Sequence, residues 1–180
     1  MKRRDVLKAL AAGSASSVAL PTLLLGRKAC SADAPGTQPD LVAVRNGEPA
    51  LMLDRAMALF GGMGTFVPKG STVVVKPNIG WAREPETGAN THPELVKRTI
   101  ELCLIAGASK VYVFDHCVNP CAICYEKSGI GPAAKASGAI LVPGDDEKHY
   151  QKVTIDGAVK LMSTAVHELL LESDILINVP

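Results

Sequence analysis

The chain has 180 residues, of which 47% are hydrophobic and 21% charged, and a formal net charge of +1. That is enough apolar sequence for one domain with a real core, and the near-neutral balance excludes a nucleic-acid-binding surface built on basic charge. The five cysteines are unevenly placed, with three of them, Cys117, Cys121 and Cys124, on one short stretch.

The N-terminus reads first as an address. Lys2-Arg3-Arg4-Asp5-Val6-Leu7-Lys8 resembles the twin-arginine pattern of bacterial signal peptides, with Val6 where that pattern usually has Phe. A modestly apolar run follows from Ala9 to Leu25, then Arg27 and Lys28, then small residues at Ala29, Ser31, Ala32 and Ala34. Residues 1–32 are therefore expected to be an export signal, and 33–40, rich in Ala, Pro, Gly and Asp, a linker. The apolar run is short and broken by Pro21, so membrane contact is expected only through this segment, if it stays uncleaved. The resemblance implies passage through the twin-arginine translocase to the periplasm. That route carries folded proteins, often with a cofactor already bound, and Cys30 is expected to leave with the signal. Six of the 19 basic residues and one of the 18 acidic residues lie in 1–32, so the remainder carries 13 against 17, net −4.

From Leu41 the pattern alternates between strand and helix. Leu41–Val44 is a short apolar strand candidate. Pro49 to Phe60 reads as a helix, with Met52, Ala56, Leu59 and Phe60 at helical spacing and Gly61-Gly62 as its stop. Gly61-Gly62-Met63-Gly64 ends a helix instead of following a strand, so it is a turn and not a phosphate-binding loop. Thr72–Val75 is a β-branched strand halted by Pro77, and residues 78–90 form a long polar loop holding the only tryptophan, Trp81. Thr91-His92-Pro93-Glu94 predicts a capping box with Thr91 as N-cap. Its helix runs to Ala106 and stops at Gly107; Val96, Ile100 and Cys103 share one face, which makes Cys103 a core residue. Val111–Phe114 is the next strand, Ser128 to Ser137 a helix interrupted by Gly129, Gly131 and Pro132, and Ala139–Val142 another strand. Lys152–Ile155 and Ala158–Met162 flank Asp156-Gly157, a hairpin signal. Thr164–Glu172 reads as helix and Ile175–Val179 as a buried strand.

Together these elements predict an α/β layered fold over residues 41–180, with a mainly parallel sheet, flanking helices and one β-hairpin. Such a domain rarely ends on a strand, so an incomplete domain is expected, stopping at Pro180.

Ligands of open parallel sheets bind beyond the carboxyl ends of the strands. Three predicted strands deliver polar residues there: Lys76 and Asn78; Asp115, His116 and the three cysteines; and Asn178. Ordinary turn chemistry is the plainer reading of Asn78 and Asn178, and Lys76 suits the end of an edge strand equally well. His92 reads as a helix cap, His149 and His167 as members of polar or amphipathic segments, and Asp145-Asp146-Glu147 as a solvated turn. No Ser-His-Asp order and no dinucleotide fingerprint stands out.

Lys76-Pro77-Asn78, then Thr91-His92-Pro93-Glu94, then Ala106-Gly107-Ala108 ahead of a strand and Asp115, resembles in order and spacing the domain of unknown function 362 family, a group often found in iron–sulfur proteins. Ser128-Gly129-Ile130 and the closing Asp174-Ile175-Leu176-Ile177-Asn178-Val179-Pro180 extend the resemblance over residues 41–180. It implies further sequence after Pro180, often basic and containing His, which would hold part of any site.

The cysteines themselves leave several chemistries open. Cys117, Cys121 and Cys124 can hold a 4Fe–4S cluster with a fourth ligand or an open iron. They can hold zinc or another divalent metal, joined by His116 or Asp115. They can form a disulfide, with Cys121-Ala122-Ile123-Cys124 as a redox pair at a helix N-terminus, or bind nothing. Their spacing is also that of the radical S-adenosylmethionine loop, but Ile123 stands where those enzymes usually carry an aromatic residue. Two functions follow. One is an exported iron–sulfur protein serving electron transfer or redox chemistry, with a redox partner or a small anionic ligand near Lys76, Asn78 and Asn178. The other is a non-redox binding module with a disulfide-stapled loop.

Overall fold

The computed structural model describes residues 38–180. The signal-like segment, Cys30 and residues 33–37 of the linker lie outside the described residues.

The central strand is β1 (Thr72–Pro77), in which Val73, Val74 and Val75 are all fully buried. A continuous β-branched run of that kind suits a parallel strand covered on both faces. β1 pairs in parallel with β2 (Lys110–Val113) on one side and β6 (Ile175–Val179) on the other, and β2 pairs in parallel with β3 (Ile140–Leu141). The order is β3-β2-β1-β6. The first three strands step in one direction and β6 returns to the far side of β1, so the order reverses between β1 and β6. A separate antiparallel pair, β4 (Tyr150–Thr154) and β5 (Ser163–His167), makes the hairpin. The α/β class, the mainly parallel sheet and the hairpin are as the sequence predicts.

Helix α2 (Pro93–Ile105) packs Val96, Ile100 and Cys103 into the same core as Val73, Val75, Val111 and Val113. Cys103 is fully buried, and burial pushes its thiol pKa up to about 12, so it is inert as expected. Ile130 and Ala134 of α4 (Ile130–Ala136) extend this core, while α1 (Pro49–Leu59) adds only the partly buried Met57. Phe114 has the opposite parity to Val113 and stacks on His167 of β5, with 4.1 Å between ring centroids. The hairpin thus meets the other face of the sheet. Among the described residues no helix is long and apolar enough to cross a membrane.

Five expected features differ. Leu41–Val44 forms no strand, and Leu41 is exposed. β1 ends at Pro77 as expected but runs past Val75, since Lys76 and Pro77 pair with Asn178 and Val179. The N-cap of α2 is His92, whose Nδ1 accepts from Glu94 N at 3.2 Å, and not Thr91. The second hairpin strand begins at Ser163, because Thr154 opposes Ser163 and Ile155 N bonds Met162 O. Asp156-Gly157 therefore lies inside a wide turn, and residues 164–167 are strand. That leaves α5 (Glu168–Glu172) as one short helix. Cross-strand pairing with β4 has overridden a helical periodicity there.

Candidate functional site

β1 and β2 are in register at Val75 and Val113, so the polar residues just beyond them meet. The Asp115 side chain is only 8% exposed. Its Oδ1 lies 2.6 Å from Lys76 Nζ, and its Oδ2 accepts from Ile79 N at 2.7 Å. A buried carboxylate persists only with partners of this kind. The main chain of the same residue faces another way. Asp115 N donates to the Tyr125 hydroxyl at 3.0 Å, and its carbonyl accepts from Cys117 Sγ at 3.8 Å and Cys121 Sγ at 3.7 Å. A Cβ on Gly144 would stand 2.2 Å from that carbonyl oxygen, so only glycine lets the segment after β3 pack onto it.

Cys117 follows β2, whereas Cys121 and Cys124 occupy the first turn of α3 (Cys121–Lys127), three residues apart and so on one face. Asp145 Oδ2 accepts from Cys121 N at 3.1 Å and so satisfies one free donor of this helix start. Cys124 Sγ donates to Asn119 O at 3.4 Å, with Gly80 O at 3.8 Å. All three thiols are buried, and Cys117 and Cys121, beside Cys124, share the Asp115 carbonyl. Burial first, and then these neighbours, push the Cys117 pKa up, as burial does for Tyr125. The Cys117 thiol is therefore a protonated donor, sharing the Asp115 carbonyl with Cys121.

The loop after β1 is bound to the cysteine loop. Val118 N donates to Gly80 O at 2.8 Å, and Ala82 N to Asn119 Oδ1 at 3.1 Å. The Asn90 carboxamide brackets Trp81, accepting from its N at 3.0 Å and donating to its O at 2.9 Å. Trp81, Val118 and Ile123 remain exposed along these loops.

Lys76, Asp115, Cys117, Cys121 and Cys124 thus come together. His116 does not join them: it is exposed, and its ring meets Tyr150 edge-on, 6.4 Å between centroids, beside a cavity of about 470 Å³. Asn78 is spent on turn chemistry, its N donating to Thr91 Oγ1 at 2.9 Å and its Nδ2 to Ala89 O at 3.1 Å. The same Thr91 hydroxyl donates to Val179 O at 2.7 Å, bridging β1 and β6 where the strand order reverses. Asn178, although paired with Lys76 in the sheet, is exposed and lines an apolar groove of about 550 Å³ with Met57, Met63, Phe66 and Leu95.

Among the described residues, no three His, Cys, Asp or Glu side chains stand around a common centre as metal ligands. Asp115 is engaged by Lys76 and Ile79, and His116 faces the hairpin, so neither is a fourth donor in this arrangement. The chemistry of the donor set still suits a thiophilic group: three buried thiols from one strand end and one helix turn. Binding would draw off their protons and part them from the Asp115 carbonyl.

Several residues escaped the sequence reading. Nothing in the sequence ties Tyr125 to Asp115. Asp145 was legible in principle, since it follows β3 at the sheet's carboxyl edge, where caps gather. His167 is the buried, neutral end of the alternating strand β5. Its Nδ1 accepts from Leu169 N at 3.2 Å, and its buried Nε2 has no hydrogen-bond partner among the described residues.

The family model described as "Domain of unknown function (DUF362)" matches residues 73–180. No curated protein and no solved structure matches the chain.

Proposed function

The chain belongs to the DUF362 family, and from that premise we propose that it is an exported protein that binds an iron–sulfur cluster for electron transfer or redox chemistry. One observation carries the reading: three thiols, all buried, gathered at the carboxyl end of β2 beside the Lys76–Asp115 pair. The twin-arginine-like N-terminus supports export with the cofactor already loaded, and periplasmic residence. Cys117, Cys121 and Cys124 would hold the group, which supplies electron transfer when bound. Lys76 is 35% exposed and offers a cation to a small anionic ligand, while the exposed Trp81, Val118 and Ile123 offer apolar contact to a redox partner. Full-length protein purified anaerobically should contain iron and acid-labile sulfide. Absence of both after anaerobic reconstitution overturns the reading.

A second reading, a disulfide-stapled binding loop, is favoured by one contact. Cys117 Sγ and Cys121 Sγ meet on the Asp115 carbonyl, so oxidation would engage Cys117 and not only the Cys121–Cys124 pair. Alkylation of all of Cys103, Cys117, Cys121 and Cys124 in unreduced, metal-free protein, read by intact mass, excludes it.

A further inference from the structure

The three thiols come from two pieces of structure, and something must fix one piece against the other. Cys117 hangs from the end of β2; Cys121 and Cys124 ride on α3. The β2–β3 ladder pairs Tyr112 with Ile140 and Val113 with Leu141, and Val142 N donates to Val113 O at 3.0 Å. In a parallel ladder the next rung would run from Asp115 N to Val142 O. The Tyr125 hydroxyl stands in that rung. It accepts from Asp115 N at 3.0 Å and donates to Val142 O at 2.9 Å, with the Asp115 carbonyl a longer alternative at 3.3 Å.

We propose that Tyr125 is a positioning residue of the three-thiol site: its hydroxyl, set into the β2–β3 ladder, fixes Cys117 relative to Cys121 and Cys124. The proposal rests on the reading of those thiols as a cofactor site. The ring is 7% exposed and belongs to the core, so packing alone would be served equally well by Phe. Only the hydroxyl reaches both strands. It holds β2 and β3 one rung apart at their carboxyl ends and ties the helix bearing two thiols to the peptide two residues before the third. Two glycines make room for this. A Cβ on Gly131 would stand 2.8 Å from the Tyr125 carbonyl, and one on Gly144 would strike the Asp115 carbonyl. Without the hydroxyl, Asp115 N and Val142 O can close on each other, and the Asp115 peptide, with Cys117 behind it, moves away from α3.

Tyr125→Phe in the full-length chain keeps the ring and loses the hydroxyl. Reduced, metal-free protein is titrated anaerobically with cobalt(II), whose thiolate charge-transfer absorption scales with the number of thiolates bound. The wild-type chain should give the three-thiolate intensity. Tyr125→Phe should give the two-thiolate intensity of Cys117→Ala, and adding Tyr125→Phe to Cys117→Ala should change nothing further, because Tyr125 acts through Cys117. Full three-thiolate intensity in Tyr125→Phe overturns the proposal. Loss of all three thiolates also overturns it, since that marks collapse of α3. If the wild-type chain binds no cobalt, the geometry is read by diamide oxidation and peptide mapping, while iron and acid-labile sulfide decide the cofactor reading separately. Wild type should then link Cys117 to Cys121 or Cys124, and Tyr125→Phe should link Cys121 to Cys124. The same linkage in both proteins overturns the positioning role.

Discussion

Asp115 serves two neighbours with different parts of itself. Its carboxylate holds Lys76 and Ile79 N, and its peptide holds Tyr125 and two thiols. The side chain is nearly dry while Lys76 keeps one third of its surface in water. Removing the cation therefore strands a buried carboxylate, but solvent at the lysine end moderates the cost. Lys76→Met should destabilise the fold by about 2 kcal/mol, and Lys76→Arg by well under half of that, in equilibrium denaturation. Equal losses in the two variants would mean that the charge is not what matters there. This pair shows how far single residues were legible. Lys76 and Asp115 could each be placed at a strand's carboxyl end from the pattern alone. Their contact could not, because it depends on the register Val75–Val113, which no local signal encodes.

At the scale of elements, most segments followed from periodicity and punctuation. The helix from Pro93 shows where punctuation misleads. Thr91 and Glu94 have the capping-box spacing, yet the Thr91 hydroxyl is taken by Asn78 N and Val179 O, and His92 caps instead. A long-range partner outcompeted a local one. Thr91→Val should therefore cost about 1–3 kcal/mol, since it leaves two part-buried backbone groups unpaired. His92→Ala should cost about 1 kcal/mol or less, because that cap is exposed. The reverse ranking in chemical denaturation would mean that the His92 cap outweighs the Thr91 bridge. The hairpin errs in the same sense: Thr164 to His167 read as helix until β4 supplied a partner strand.

For the whole molecule, the parallel sheet and its carboxyl-edge site were legible as a class, because alternating strand and helix segments admit few topologies. The expected convergence of every polar strand end did not occur. Thr91 bridges the β1–β6 crevice, which separates Asn178 from the thiols, while β1 and β2 close around Asp115. Global stability should also report the buried His167. Burial, the largest effect, lowers its pKa below the ordinary 6.5. The unfolded chain therefore takes up this proton first. The stability contribution is complete above the unfolded value and is lost as pH falls from there through the folded value. Denaturation at about pH 7.5 and about pH 5.5 should show weaker stability at the lower pH, and His167→Gln should shrink the difference. An unchanged difference in the variant would assign the pH dependence to other groups.

The central claim is that Cys117, Cys121 and Cys124 hold an iron–sulfur cluster. Iron and acid-labile sulfide, measured in anaerobically purified full-length protein, test it most directly. The account predicts both in the wild-type chain and in Cys103→Ser, and neither in the chain with Cys117, Cys121 and Cys124 all changed to Ser. Wild-type protein lacking both after anaerobic reconstitution, or the triple variant retaining them, would contradict it.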